Sequence, residues 1–227
     1  MTIKAIGLST IRSGRTILHP TDLVIEPGKR VGLVGPSGSG KSTLGHALVD
    51  RLRTQGQSVA HVPQSPDEAL DPLRSMAFHW REATRAAKMA SDPAKQQALF
   101  AALGIEGGNL RTRPWSWSRG MQQRFVIAMA LIGTPALLVM DEPTSALDPV
   151  IAADTMDLLD SYLKNRQTAL LLITHDLGLA AHRVARLMVM EDGRIVEDAP
   201  IEQILSTPKT SVAKALSAHR NWNELPC

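Results

Sequence analysis

The segment GPSGSGKST, in the N-terminal quarter of the chain, has the residue types and spacing needed to hold phosphate groups. It fits the pattern G-x-x-x-x-G-K-[ST], in which glycines let backbone N–H groups point inward around an anion. Lys41 is placed to reach the β- and γ-phosphates of a nucleotide, and the Ser42 hydroxyl is placed to bind Mg²⁺. The residues predicted to surround the phosphates are Gly35, Pro36, Ser37, Gly38, Ser39, Gly40, Lys41, Ser42 and Thr43.

The residues on either side of this loop support that chemistry. The apolar run at 31–34 predicts a buried strand, and residues 41–53 predict a helix. A helix that begins at the lysine adds the positive end of its dipole to the anion site. The alternative is a glycine-rich turn with an unrelated lysine, and it gives no reason for a strand before the loop and a helix after it.

A second motif supplies two carboxylates. Residues 137–140 predict a buried parallel strand that ends in Asp141 and Glu142. The carboxyl ends of such strands face the ligand in open α/β sheets. Asp141 is placed to hold Mg²⁺ through water, and Glu142 is placed to polarise the water that attacks the γ-phosphate. An acidic pair after a strand is alone more typical of a solvated loop, but it gains weight after a phosphate-binding loop.

The order of these and four further motifs resembles the ATP-binding subunits of ABC transporters, over nearly the whole chain. In chain order the motifs are the Walker A loop at 35–43, the Q-loop at Gln64, the signature loop at 118–122, the Walker B pair Asp141 and Glu142, the D-loop at 145–148 and the switch histidine His175. Other P-loop ATPases share the two Walker motifs, whereas the signature loop marks this family. The resemblance therefore implies an ATPase that uses ATP and Mg²⁺.

The resemblance also implies a site shared between two subunits. Ser118 and Gly120 would offer a hydroxyl and N–H groups at a helix N-terminus to the ATP held by Lys41 of a second subunit. Asp148 would lie at the seam between the two subunits. Each motif has a purely structural alternative, because serine and aspartate are also common helix N-caps.

Two polar side chains are implied to act on the γ-phosphate itself. His175 follows the apolar run at 169–173 and would help orient Glu142 and the attacking water. Gln64 is neutral and would touch Mg²⁺ or water without changing the charge of the site. The alternatives are a polar loop residue for His175 and a turn residue for Gln64.

The chain departs from the family pattern at the signature loop and at the adenine. Trp117, Arg119 and Met121 stand where Leu, Gly and Gln are usual. Residues 1–30 contain no Phe, Tyr or Trp that could stack on adenine, which leaves Ile11 or the side-chain stems of Arg12 and Arg15. The interval between the Walker A loop and the Q-loop is also short, so the family's antiparallel β-subdomain is expected to be reduced.

The predicted fold is α/β, a P-loop NTPase (RecA-like) core with an inserted helical subdomain and a reduced antiparallel β-subdomain. We expect a single domain at 1–227, with the nucleotide-binding core at 1–66 and 136–227 and the helical subdomain at 67–135. The predicted strands lie at 31–34, 58–62, 137–140, 169–173, 187–190 and 194–196, with short edge strands in 1–26. The predicted helices lie at 41–53, 76–89, 93–103, 121–132, 150–165 and 177–185, and two more close the chain.

Composition agrees with a peripheral subunit on the cytoplasmic face of a membrane. The formal net charge is +3, and no apolar run reaches the ~18 residues that a membrane-spanning helix needs. The N-terminus lacks the apolar core of a signal peptide. The single cysteine, Cys227, provides neither an internal disulfide nor a cysteine metal cluster.

The helical insertion is basic. A solvated helix surface is the simpler interpretation, and a surface that faces anionic lipid or a membrane partner's cytoplasmic helix is the alternative. Trp80, Trp115 and Trp117 lie in the same segment, where aromatic residues favour interfaces or internal packing. The basic residues are Arg74, Arg81, Arg85, Lys88, Lys95, Arg111, Arg113 and Arg119.

Within the family the chain is most similar to the peptide and nickel importers, through residues 71–73 and the tail at 208–219. That group implies a second ABC ATPase subunit, of the same or a different chain, two transmembrane permease subunits and an external substrate-binding protein. Import of a peptide, nickel or a metal chelate is the expected function. The alternatives are an exporter subunit and a non-transport ATPase that acts on nucleic acid or the ribosome. We expect no nucleic-acid partner, because the interval between the Walker motifs lacks sustained heptads.

Overall fold

Mainly apolar strands build the central sheet, in the computed structural model that describes residues 2–105 and 107–218. Its strand order is β4-β5-β6-β3-β7-β8, and every neighbouring pair is parallel except β7 and β8. A separate antiparallel hairpin is formed by β1 (Ile3–Arg12) and β2 (Arg15–Ile25). The sheet strands are β3 (Arg30–Val34), β4 (Val59–Val62), β5 (Leu137–Asp141), β6 (Ala169–Ile173), β7 (Arg186–Glu191) and β8 (Arg194–Pro200).

Helices cover both faces of this sheet. Two 3-10 turns, Pro66–Glu68 and Pro114–Ser116, precede the helices α2 and α4. Among the described residues, no helix is long and apolar enough to cross a membrane. The helices are α1 (Lys41–Thr54), α2 (Met76–Ala86), α3 (Pro93–Ala102), α4 (Arg119–Leu131), α5 (Pro149–Leu163), α6 (Leu177–Arg183), α7 (Ile201–Ser206) and α8 (Ser211–Ala218).

The alternation of side chains along the strands divides the core into two layers. On β5, Leu137 and Val139 pack with α1 and the β1–β2 hairpin, whereas Leu138 and Met140 pack with the remaining helices. Strands buried on both faces need apolar residues at every position, which explains the unbroken apolar runs. The sheet is thereby fixed between α1 and the hairpin on one face and the longer helical layer on the other.

The predicted fold class is confirmed: a P-loop core carries α2 to α4 as a helical insertion between β4 and β5. The two-stranded hairpin is the reduced antiparallel β-subdomain. The division at residues 66 and 135 into core and subdomain stays a prediction. His219 and Cys227 lie outside the described residues.

Several predicted element bounds were wrong. The short edge strands expected in 1–26 form instead one long hairpin that is not part of the main sheet. Helix α2 ends at Ala86 rather than 89, and Lys88 then adopts a left-handed backbone with φ of 54°. Helix α4 begins at Arg119 rather than 121, because the Ser118 side chain already accepts a hydrogen bond from the Met121 N–H.

Candidate functional site

The turn between β3 and α1 leaves a helix N-terminus open to a ligand. Helix α1 has no side-chain cap and no acidic residue in its first turn. By contrast, α4 and α5 are capped by Ser118 and Asp148. The uncapped N–H groups and the helix dipole give the end of α1 a partial positive charge that suits phosphate oxygens.

Glycine is required at specific positions of this loop. Gly38 and Gly40 have φ of 79° and 100°, in the left-handed region that other residues rarely adopt. A Cβ atom at Gly35 would lie 2.2 Å from the Met190 carbonyl oxygen. The backbone can therefore curl around an anion only with glycines at these positions.

Lys41 folds back into the loop that it follows. Its Nζ donates hydrogen bonds of 2.9 Å each to the carbonyl oxygens of Gly35 and Pro36. Burial lowers the pKa of Lys41, and the charges of Glu142 and Asp141 oppose that shift. A phosphate group beside the ammonium would favour its charged form further.

Asp141 ends β5 in a buried position. Its side chain is 6% exposed, and its Oδ1 has no hydrogen-bond partner among the described residues. A buried carboxylate oxygen without a partner costs free energy unless a cation or a donor reaches it. The donor set that Asp141, Ser42 and Gln64 offer, all oxygen atoms, fits a magnesium ion.

Glu142 and His175 meet because their strands are neighbours. Asp141 pairs with Ile173 in the parallel ladder, and the Glu142 N–H donates to the Ile173 carbonyl at 2.8 Å. The chain then places His175 Nδ1 2.8 Å from Glu142 Oε2. Glu142 holds a φ of 45°, a backbone conformation that costs about 1–3 kcal/mol in non-glycine residues and clusters at functional sites. A water molecule near this pair can be oriented and can lose a proton.

The phosphate loop, Gln64, Glu142 and His175 border one cavity of about 630 Å³, a volume typical of small-molecule sites. Asp141 lies outside this lining, as do Ser118, Gly120 and Asp148. The described residues around the cavity are Ile17, Ser37, Gly38, Gly40, Lys41, Ser42, Thr43, Gln64, Glu142 and His175.

A model of the ABC transporter family matches residues 18–145. The chain belongs to the ABC transporter family. It is 32% identical to the nickel import ATP-binding protein NikD of Brucella abortus, over 96% of this chain and 94% of that protein. It is 34% identical to NikD of Pseudomonas putida, over 92% of each, and 33% identical to a putative peptide import ATP-binding protein of Brucella melitensis, over 89% of this chain and 72% of that protein.

Solved structures show the same fold. An ATP-binding subunit of an ABC transporter superposes with a TM-score of 0.75 at 22% identity, over 95% of this chain and 97% of that one. An ATP-binding cassette, in a dimeric post-hydrolysis state bound to ADP and Pi, gives a TM-score of 0.72 at 23% identity, over 88% and 99%. The chain is therefore an ABC ATPase with the fold predicted from its sequence.

The signature loop of this ABC ATPase lies at the N-terminus of α4. The Ser118 hydroxyl accepts a 3.2 Å hydrogen bond from the Met121 N–H, so the structural alternative, a helix cap, is present. Gly120 is buried against α5, and a Cβ there would lie 2.5 Å from Ile151 Cγ2. Asp148 caps α5 by accepting from the Ile151 N–H at 3.0 Å. The signature loop thus packs at Gly120 against the first turn of α5, the helix that Asp148 caps.

The unusual Trp117 has a packing role. It is 6% exposed, its ring centroid lies 5.5 Å from that of Phe125, and its Nε1 donates to Thr112 Oγ1 at 3.0 Å. Gln122, which the resemblance places in the signature loop without a role of its own, is buried and donates from Nε2 to the Trp117 and Pro114 carbonyls at 2.9 Å each. Together these contacts fix the loop that presents Ser118.

The residues suggested as a support for adenine do not border the cavity. Ile17 on β2 borders the cavity, whereas Ile11, Arg12 and Arg15 at the hairpin tip do not, and Ile11 is 68% exposed. Ile17 was not predicted, because the sequence pattern does not reveal the full length of β2. A prediction with β2 at its full length would have placed Ile17 beside the phosphate loop.

Proposed function

We propose that this chain is the ATP-hydrolysing subunit of an ABC importer that carries peptide, nickel or a metal chelate. The observation that carries the hydrolytic part is the meeting of Lys41, Gln64, Glu142 and His175 at one cavity. The printed functions of the relatives, nickel import and peptide import, support the transport part. The ATPase subunit does not touch cargo, so the choice among these cargoes rests on those relatives alone.

In this proposal each residue acts on the triphosphate or on one water molecule. Lys41 and the N–H groups of α1 bind the β- and γ-phosphates. Glu142 takes the proton of the attacking water, and His175 orients both Glu142 and the γ-phosphate. Ser42, Gln64 and Asp141 would hold Mg²⁺, which supplies charge neutralisation at the phosphate oxygens.

The second half of the site is proposed to come from another ABC ATPase subunit. Ser118 and Gly120 lie outside the lining of the cavity of their own chain. Across a dimer they would face the γ-phosphate held by the partner subunit's phosphate loop, with Asp148 at the seam. The dimeric post-hydrolysis structure with the same fold supports such a pairing.

A basic groove on the helical insertion is the proposed face toward the permease. Its volume is about 580 Å³, and two of its apolar side chains, Leu73 and Trp115, are 74% and 59% exposed. The described residues around this basic groove are Leu73, Arg74, Ser75, Phe78, Arg81, Arg111, Thr112, Arg113, Trp115 and Ser116.

Three of the four arginines that line the basic groove lie over aromatic rings. Arg74 and Arg81 lie 5.1 and 5.9 Å from the Phe78 centroid, and Arg113 lies 5.1 Å from that of Trp115. Within the described part of the chain, Arg74 is the one arginine of the groove within 4.0 Å of a carboxylate. An acidic cytoplasmic helix of a permease would supply the missing carboxylates and cover the exposed rings.

Co-purification tests the transporter assignment. The tagged chain, expressed together with the permease and binding-protein genes of a candidate importer, is expected to sediment with membranes and to retain both permease subunits in detergent. Uptake by vesicles loaded with ATP inside then identifies direction and cargo. A chain recovered entirely without permease, or vesicles that expel the cargo, would contradict the importer assignment.

Charge reversal in the basic groove is expected to separate docking from hydrolysis. Arg81→Glu and Arg113→Glu should each weaken permease retention by about tenfold or more, because a like charge replaces a complementary one. ATP binding by the isolated chain should not change. Lys4→Glu, on the N-terminal hairpin, serves as the matched control. Equal retention of all three variants would place the permease elsewhere, and binding to anionic vesicles without permease would indicate lipid.

Nucleotide choice is expected to be loose in this chain. Base–aromatic stacking is worth about 1–3 kcal/mol, and Ile17 offers none. The Kd values for ATP and GTP should therefore agree within about tenfold, or ~1.4 kcal/mol. Ile17→Tyr, on β2 at the edge of the cavity, should tighten ATP binding. Arg12 lies outside the cavity lining, and Ser13 is unsuitable for tyrosine because its φ is 49°. Lys4→Tyr, at the far end of β1, is the control, and a hundredfold preference for ATP in the unmodified chain would overturn the expectation.

A further inference from the structure

The signature loop is tied to the Q-loop by an ion pair that spans the helical insertion. Arg119 Nη1 donates to Asp67 Oδ1 at 2.7 Å, and Arg119 Nη2 donates to Asp67 Oδ2 at 2.7 Å. Two parallel bonds between a guanidinium and a carboxylate fix orientation as well as distance. Arg119 stands at the position where the signature loops that this chain resembles carry glycine, so the pair is a feature of this chain.

The placement of Arg119 is unfavourable without its partner. It is the first residue of α4, where the partial positive charge of the helix N-terminus repels a cation. The carboxylate of Asp67 offsets that repulsion. The Arg119 guanidinium in turn holds the pKa of Asp67 below its usual range, so both groups are charged at neutral pH. Both side chains are about half exposed, 47% and 65%, which argues against a role in core stability.

The segment that carries Asp67 is a rigid extension of the Q-loop. Ser65 and Glu68 form a reciprocal capping box around the turn, with the Ser65 N–H donating to Glu68 Oε1 at 3.2 Å. Pro66 in the same turn is buried. Gln64, directly before this turn, borders the nucleotide cavity. A shift of Gln64 therefore moves the Asp67 carboxylate with it.

We propose that Arg119 is a positioning residue, which through Asp67 couples the Q-loop at the chain's own ATP to the signature loop that meets the partner's ATP. The path runs from Gln64 through the capped turn to Asp67, then to Arg119 and the neighbouring Ser118. Arg119 acts on the reaction by placing the N-terminus of α4 and does not itself touch the phosphate. This inference rests on the proposed site shared between two ATPase subunits.

A double-mutant cycle on steady-state ATPase activity tests the coupling. Asp67→Asn and Arg119→Gln are each expected to lower kcat by about five- to tenfold, at the low end of measured couplings between sites, with KM for ATP unchanged. The double variant should be no slower than either single variant. If Arg119 bound phosphate itself, Arg119→Gln would be much slower than Asp67→Asn. If the losses in kcat of the two single variants multiplied in the double variant, the pair would not act as a unit. Either result overturns the proposal.

Hydrogen exchange, measured at a protein concentration at which the chain is monomeric, supplies a readout that does not depend on dimer formation. On addition of ATP, the amides of residues 119–123 should change their exchange rate in the wild type and should not change in Asp67→Asn or Arg119→Gln. Asp154→Asn is the matched control. It breaks the ion pair between Asp154 and Arg124 of α4, and that ion pair is not connected to the Q-loop. The same response in all four proteins, or no response in the wild type, would refute the coupling. Restored turnover on mixing Lys41→Ala with Ser118→Asp subunits tests the shared site separately.

Discussion

Glu142→Gln is expected to bind ATP as the wild type does and to turn over about 10²–10⁴-fold more slowly, the usual cost of removing a general base. The amide keeps the size of the side chain and can still hydrogen-bond His175 Nδ1, which lies 2.8 Å from Glu142 Oε2. It cannot accept a proton from water. Because binding survives while hydrolysis fails, the variant should also accumulate as a closed, ATP-bound dimer.

Two measurements separate this outcome from simple misfolding. Phosphate release gives the rate, and ATP affinity by calorimetry shows whether the phosphate loop is intact. Glu202→Gln, an exposed glutamate on α7, is the matched control and should have wild-type turnover. Turnover of Glu142→Gln within about tenfold of the wild type would exclude the role of Glu142 as the base.

The parts of the site that the sequence predicted are local in the chain. The phosphate loop, the acidic pair after β5 and the histidine after β6 each follow a buried strand, and parallel strands bring their carboxyl ends together. The 2.8 Å contact between His175 and Glu142 is therefore a consequence of neighbouring strands. The strand bounds were accurate where every residue is apolar, because burial on both faces leaves no ambiguity.

The features that were missed depend on contacts distant in the chain or on irregular pairing. The β1–β2 hairpin has several register shifts, so its side chains do not alternate cleanly between the faces, and its length was underestimated. Ile17 was overlooked for that reason. The contact between Arg119 and Asp67 joins residues 52 positions apart in the sequence, and no local sequence pattern predicts it. Each residue alone is an ordinary exposed charge.

Mixing two inactive variants is expected to restore activity if the second half of the site comes from another subunit. Lys41→Ala removes the phosphate-binding ammonium, and Ser118→Asp places a negative charge at the signature loop. The Ser118 side chain caps α4 by accepting a hydrogen bond from the Met121 N–H. Aspartate is chosen because it preserves this cap, whereas arginine would lose it. Each variant alone should lose about a hundredfold or more in turnover, as when one transition-state donor is removed.

A mixed dimer of these variants contains one damaged site and one intact site. The damaged site has both lesions, whereas the intact site pairs Lys41 of the Ser118→Asp subunit with Ser118 of the Lys41→Ala subunit. Turnover should thus rise on mixing and should depend on protein concentration. Ser118→Asn, a neutral cap, should keep more activity than Ser118→Asp, which separates the effect of charge from the effect of capping.

If the natural partner is a different ATPase chain, the isolated protein should hydrolyse ATP slowly and that partner should restore its turnover. Full, concentration-independent turnover by a monomer would rule out both arrangements, since Ser118 does not border its own chain's nucleotide cavity.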